Sequence, residues 1–228
     1  MVDKVVIVTG GGAADDGIGD GRAAAILLAR ARAKVLVVDR DLMRAERTVS
    51  MIIAEGGNAV AAPYDVTSSG QCAAMVEDAL SRWGRLDCLD NNVGIGSKGT
   101  VVEETEENWA HVMHVNVDTM FLACKHAIPT MIRPTGAGAI VNVSSISALR
   151  PRGLTAYTVS KGGVIALTRA IAVDHGADGI RANCVAPGPV YTLMVCAGGM
   201  SEQARETRRR PVECNHKSGS MALSVTWQ

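Results

Sequence analysis

Short apolar, β-branched runs alternate along this chain with longer stretches in which apolar residues recur at helical spacing. Val5 to Val8, Val35 to Val38, Ala59 to Ala62, Ile140 to Val143 and Ala182 to Val185 have the near-continuous apolar character of strands buried on both faces. A further strand is predicted over Leu86 to Asp90, and helical patterns fall near 19–31, 42–55, 69–83, 105–132 and 157–175. Strand–helix alternation requires crossover connections, so it implies a parallel sheet with helices on both sides. The 228 residues suit a single α/β domain with a sizeable core, and no linker divides the chain before about residue 195. The expected organisation is a domain over 1–195 and an atypical tail over 196–228. From Met200 the tail is polar, carries Arg208-Arg209-Arg210 and shows no strand pattern.

Directly after the first apolar run comes Thr9-Gly10-Gly11-Gly12-Ala13-Ala14-Asp15-Asp16-Gly17-Ile18-Gly19, and Arg22-Ala23-Ala24-Ala25 then opens a helix. Glycine lets a backbone approach a ligand closely, and the free N–H groups of a helix start attract pyrophosphate. Between a strand and a helix, such a loop reads as a nucleotide site. Asp15 and Asp16 would repel pyrophosphate if they faced inward, so they are expected to face solvent, or Asp16 to cap the helix. Asp39 closes the second strand about twenty residues beyond the glycines. A carboxylate there accepts the adenosine ribose hydroxyls and repels a 2′-phosphate, which favours NAD over NADP; Arg40, next in the chain, could partly accommodate that phosphate.

The second concentration of chemistry is Tyr157-Thr158-Val159-Ser160-Lys161, about a dozen residues beyond Ser144-Ser145. Tyrosine and lysine four apart share one helix face. A phenol of pKa ~10 is a poor acid or base at neutral pH, and an adjacent cation favours its phenolate. A tyrosine tuned in this way can exchange a proton with an alcohol oxygen.

Charge and cysteine usage remove other classes. The 23 basic and 23 acidic residues balance, so no electrostatic footprint points to nucleic acid or an anionic membrane. No apolar run approaches the ~18 residues of a membrane span, and Val5 to Val8 is too short for a signal-peptide core. The six cysteines (72, 88, 124, 184, 196 and 214) include no Cys-x-x-Cys pair, which argues against a zinc site or disulfide framework and for a reducing cytoplasm.

Taken together, Thr9 through Gly19, Asp65-Val66, Asn91-Asn92-Val93-Gly94, Asn116, Ser144-Ser145, Tyr157 with Lys161, and Pro187-Gly188-Pro189-Val190-Tyr191-Thr192 resemble the short-chain dehydrogenase/reductase family over about residues 4–195. The resemblance implies a doubly wound parallel sheet (a Rossmann fold) in a single domain of six or seven strands, nicotinamide binding and alcohol–ketone interconversion. It implies that Tyr157 donates or accepts the proton, that Lys161 lowers its pKa and bonds the nicotinamide ribose, and that Ser145 holds the substrate oxygen. Asn116 would anchor a water linking Lys161 to solvent. Thr9, Gly10, Gly12, Gly17, Ile18 and Gly19 would cradle the cofactor, whose adenosine end would meet Asp39, Arg40, Asp65, Val66 and Asn92 with Val93 and Gly94. Val190 and Thr192 would bond the carboxamide, with Pro187 and Gly188 also among the cofactor-binding residues. The resemblance also implies pairing of the helices at 105–132 and 157–175 in a homodimer, with a tetramer as the alternative.

The chain departs from the family pattern in four places. The glycine loop is about three residues longer, the excess falling at Ala13 to Asp16, and such lengthening costs little closure entropy. Asp90 stands in a strand expected to be buried on both faces, where a carboxylate must find a donor, titrate neutral or destabilise the strand. Ser145 precedes Tyr157 by twelve positions, one fewer than usual, so Ser144 stays in reserve. After Met200 nothing resembles the family's seventh strand. The expected sheet therefore has six strands in the order 3-2-1-4-5-6, with the tail covering the edge strand or disordered. Two alternative functions stay open: an NADPH-linked 3-oxoacyl thioester reductase, and a catalytically impaired nucleotide-binding relative.

Overall fold

All five residues of β1 (Val5–Thr9) are buried, and the alternation of their side chains explains why. Val5 and Ile7 enter one apolar cluster, and Val6 and Val8 enter another on the opposite face. A strand covered on both faces has no polar side to show in sequence. The computed structural model of the chain describes residues 1–14, 17–151, 153–188 and 223–226.

β1 pairs in parallel with β2 (Lys34–Val38) on one side and β4 (Cys88–Asn91) on the other. β3 (Asn58–Ala62) lies outside β2, while β5 (Gly138–Val143) and β6 (Ile180–Ala186) continue beyond β4. The order β3-β2-β1-β4-β5-β6 is the expected doubly wound one, and its reversal between β1 and β4 opens a crevice at the carboxyl ends of the strands. α1 (Asp20–Arg30) and α2 (Leu42–Ala54) cover the Val6–Val8 face through Ala25, Ala29, Ala45 and Ile52. α3 (Ser69–Trp83) and α5 (Thr119–Thr135) cover the other face through Met75, Ala79, Ala127 and Met131. Side-chain caps set three helix starts: Asp41 for α2, Ser68 for α3 and Thr105 for α4 (Glu106–Met113). Among the described residues no helix is long and apolar enough to cross a membrane.

Two expectations change. The helix predicted over 105–132 is α4 followed by a π-helical turn, His114–Asp118, and then α5. The turn carries buried Asn116, whose amide oxygen accepts from the Ile95 N–H at 2.7 Å and whose amide nitrogen donates to the Ile95 carbonyl at 2.9 Å. Those two bonds hold the wide turn against the loop after β4. The second change is in the tail, where β7 (Leu223–Thr226) lies antiparallel on β6, making seven strands instead of six. Four residues with two hydroxyls leave little strand signal in sequence; the open backbone edge of β6 supplies the pairing.

Two aspartates at β4 contrast sharply. For Asp87, burial works against the charge, but hydrogen bonds from Arg85, the Val5 N–H and Lys4 hold its carboxyl below the ordinary value. Asp90 is also buried, and its Oδ1 has no hydrogen-bond partner among the described residues. Burial pushes it up to about 6, with the Asn92 amide acting weakly against the rise and the Asp20 charge adding to it. The folded protein thus holds this proton more tightly than the unfolded chain does. Stability falls as pH rises from the ordinary 3.8 to about 6, by roughly 3 kcal/mol in all. Asp90→Val is therefore expected to raise Tm at pH 7.5 by about 5–10 °C, with the gain shrinking toward pH 4. Calorimetry of the two proteins across pH 4–8 checks this, and equal melting at pH 7.5 would refute it.

Candidate active site

The crevice is bounded on one side by the loop from β1 to α1. Gly10 has φ +65°, and a Cβ on it would meet Val93 at 3.2 Å. Gly21 packs more tightly: its Cβ would stand 2.2 Å from the Gly10 carbonyl oxygen and 3.3 Å from Asn92 Cβ. Gly19 is the N-cap of α1, in extended backbone, and among the described residues its Cβ would meet nothing nearer than Ala13 at 3.9 Å. The glycine that lets α1 approach the sheet is thus Gly21, two residues beyond the Gly19 expected at the end of the motif. The signal lay in Gly19-Asp20-Gly21-Arg22, counted back from the helix instead of forward from the strand. The N-cap position of α1 is Gly19; Asp15 and Asp16, expected to face solvent or, for Asp16, to cap the helix, lie outside the described residues.

The lengthened loop is tied down by Arg22, which is fully buried. Its guanidinium donates to the Gly17 carbonyl at 2.6 Å, the Ala13 carbonyl at 2.9 Å and Thr48 Oγ1 at 2.9 Å. Thr48 Oγ1 in turn donates to the Gly11 carbonyl at 2.8 Å. Arg22 and Thr48 were not singled out in the sequence, because nothing local shows that an arginine on α1 meets a threonine on α2. Ile18 is exposed at the loop's surface.

At the tip of β2, Asp39 lies against Gly12, where a Cβ would come within 2.5 Å of Asp39 Oδ2. Its Oδ1 accepts from the Asp41 N–H, and Arg40 beside it is exposed. Beyond β3, Asp65 accepts from the Thr67 hydroxyl and N–H, which hold its carboxyl below the ordinary value; Val66 is buried in the core. Thr9 is buried at the end of β1, and its carbonyl and hydroxyl both accept from the Asn92 N–H.

On the far side, Asn92-Val93-Gly94 leads to the second group. A Cβ on Gly94 would come within 3.0 Å of Lys161 Nζ and 3.3 Å of Asn116 Oδ1. Lys161 and Tyr157 stand on α6 (Thr155–His175). Lys161 Nζ donates to the Val143 carbonyl at 2.8 Å and lies 5.9 Å from the Tyr157 ring centroid. Burial lowers the Lys161 amine to about 8. Asn116 also donates to Ser160 Oγ at 2.9 Å. Of the two serines, Ser144 spends its hydroxyl on the Lys161 carbonyl at 2.7 Å, whereas Ser145 accepts from the Ser147 N–H and acts on the Tyr157 phenol, favouring its charged form. Pro187 and Gly188 follow β6, and the Pro187 carbonyl accepts from the Ile146 N–H. Val190 and Thr192 lie outside the described residues.

Lys161 was expected to depress the Tyr157 pKa. Instead, burial raises it, the Ser145 hydrogen bond opposes the rise, and the Asp20 charge adds to it. At neutral pH the phenol is protonated in this state. The residues present fit a dinucleotide: a positive-φ glycine, a helix start without a side-chain cap, a carboxylate at the β2 tip and a lysine–tyrosine pair all bound one crevice.

The pattern of the family described as short chain dehydrogenase matches residues 4–202. The chain is 34% identical over 212 residues to a cyclohexanol dehydrogenase of Acinetobacter sp. (strain SE19), covering 92% of this chain and 81% of that one. It is 34% identical over 217 residues to levodione reductase of Leifsonia aquatica, covering 93% and 79%. A crystal structure of a Burkholderia xenovorans protein classed among the short-chain dehydrogenase/reductases superposes with TM-score 0.86 at 38% identity, covering 91% of this chain and 81% of that one.

The two glycines of the loop give a direct test. Gly21→Ala is expected to lower stability by about 2–4 kcal/mol, because a methyl group must displace backbone. Gly19→Ala is expected to stay within about 1 kcal/mol of the parent, the loss being confined to the helix cap. Thermal melts of both variants check the difference, and equal losses would contradict the assignment of Gly21.

Proposed function

Because the chain belongs to the short chain dehydrogenase family, whose members are NAD(P)-dependent oxidoreductases, we propose that it interconverts a secondary alcohol and a ketone, using NAD and exchanging the proton at Tyr157. The observation that carries this reading is the Tyr157 phenol, whose ring centroid lies 5.9 Å from the amine of buried Lys161 on the same helix face.

Each residue then has a task in carbonyl reduction. Ser145 and the Tyr157 hydroxyl donate hydrogen bonds to the substrate oxygen, polarising the carbonyl. The raised phenol is protonated at neutral pH, so it is in the state a donor needs. As its proton leaves, the Lys161 ammonium, charged below about pH 8, stabilises the phenolate that forms. In oxidation the roles reverse, and the phenol must first lose its proton, which favours alkaline pH. The nicotinamide, when bound, supplies or takes the hydride. Lys161 would bond its ribose, and Asn116 would hold a water leading from Lys161 to solvent. Thr9, Gly10, Gly12, Gly17, Ile18 and Gly19 would line the pyrophosphate, with Asp65, Val66, Asn92, Val93 and Gly94 along the adenosine side. Val190 and Thr192 would bond the carboxamide, with Pro187 and Gly188 also among the cofactor-binding residues. Asp39 beside Gly12 supports NAD over NADP, since a 2′-phosphate would face a carboxylate.

The named activities of the relatives, on cyclohexanol and levodione, support a small cyclic or secondary alcohol as substrate. Exposed Phe121 and Val159 on α5 and α6 support a homodimer paired through these helices, and the free cysteines at 72, 88, 124 and 184 fit a reducing cytoplasm. Arg40 favours the second reading, an NADPH-linked thioester reductase, and initial rates with NAD and NADP at equal concentration separate the two.

Tyr157→Phe is expected to cut turnover of simple secondary alcohols and ketones by at least about 100-fold while leaving NADH affinity within about threefold. Steady-state rates and NADH fluorescence titration check it. Activity retained in the variant would overturn the role of Tyr157, and tight NADH binding by the parent without turnover of any substrate would support an impaired nucleotide binder.

A further inference from the structure

Gly21 packs against Gly10 and Asn92 and thereby fixes the first turn of α1 at the mouth of the crevice. The residue immediately before it, and the first of the helix, is Asp20. A helix start in a dinucleotide fold is where pyrophosphate is expected to sit, so an anionic side chain at this position opposes the ligand that the backbone favours. Asp20 is accessible to solvent, yet its charge reaches Lys161 and Tyr157 on α6 and Asp90 on β4. The Gly94 segment, within 3.0 Å of Lys161 Nζ, joins these walls across the crevice. The carboxylate therefore belongs to the same electrostatic cluster as the amine of the proposed catalytic pair.

We propose that Asp20 is an affinity-setting residue of the cofactor crevice, a carboxylate that occupies the field of Lys161 in the free protein and weakens dinucleotide binding when charged. This inference rests on the dinucleotide reading of the site and adds a regulation to it. Binding the pyrophosphate brings two negative charges toward Asp20, so the bound state favours its protonated form. By linkage, the dinucleotide binds more tightly as pH falls, and its binding takes up protons. Among the described residues, the Asp20 charge acts on Lys161 and Tyr157 of α6 and on Asp90 of β4. Lys161 loses its proton around pH 8, which also weakens an anion's binding, and burial raises Tyr157 above the ordinary phenol value. Asp90 gains its proton at about 6. A substitution at Asp20 compared at one pH separates its contribution from theirs.

The experiment is NADH fluorescence titration of the full chain, Asp20→Asn and Asp20→Glu from pH 5 to 8.5. Asp20→Asn should bind NADH about tenfold more tightly than the parent at pH 7.5, with the ratio shrinking as pH falls toward the carboxylate range. Asp20→Glu, which keeps the charge, should stay within about threefold of the parent. Added salt should narrow the gap between Asp20→Asn and the parent. A merely structural role would instead move both variants together and leave the pH profile unchanged. Equal affinity of Asp20→Asn and the parent at every pH would overturn the inference while leaving the dinucleotide reading intact. Absence of NADH binding by all three proteins would overturn both.

Discussion

One ammonium held almost out of water organises the reactive side of this molecule. Lys161 is only 4% exposed, and its Nζ donates to the carbonyl of Val143, where β5 ends. The Ser144 hydroxyl bonds the Lys161 backbone, and Gly94 gives up a side chain where Nζ passes. Three elements thus converge on one amine: the tip of β5, the loop after β4 and the first turns of α6. Burial disfavours the charge by roughly 3 kcal/mol, judged from a pKa lowered from 10.5 to about 8. That cost is fully present below about pH 8 and is relieved as pH rises toward the ordinary lysine value. The two apolar clusters must offset it, which ties the strength of the core to the chemistry at its edge.

The opposite wall obeys a different constraint. A loop lengthened by a few residues closes with little entropic penalty, but a long glycine-rich segment would leave carbonyls with no fixed partner. The Arg22 guanidinium, planar and rich in donors, answers this by bonding Ala13, Gly17 and Thr48 at once. Thr48 passes the constraint to Gly11, so both ends of the loop are tied to helices α1 and α2. The insertion can then be tolerated because α1 itself does not move; Gly21 keeps it against β1 and β4.

These two walls were unequally legible in the sequence. The strands were plain because burial on both faces writes continuous apolar runs, and Tyr157 with Lys161 stood out because their spacing is local. Gly21 was missed because the loop was read forward from Thr9, where extra residues shift the count. The Arg22–Thr48 bond joins residues 26 apart on different helices, and no periodicity encodes that meeting. The π-helical turn was invisible for the same reason, since it depends on Asn116 reaching back to Ile95. A polar chain inside the sheet was hidden too: Asn91 donates to Asn142, and Asn142 donates to Thr168, stitching β4, β5 and α6 together. Asp90 was legible as an anomaly but not as an outcome, because only the packed structure shows its Oδ1 left without a partner among the described residues.

A chain of balanced net charge can still build a strongly uneven field at one point. Here the Asp20 charge acts on Lys161, Tyr157 and Asp90, and Tyr157 stands beside the lysine. Burial lowers the Lys161 pKa to about 8, against the opposing charges of Cys184 and then Asp20, so the amine is still mostly charged at neutral pH. The same aspartate raises the phenol's pKa. A dinucleotide would bring its own negative charge to the lysine and make the aspartate redundant as a partner. On the proposed cofactor reading, the Asp20 charge in the free protein or the ligand's charge in the complex would lie in the field of Lys161, and neither state would leave the lysine a lone buried cation.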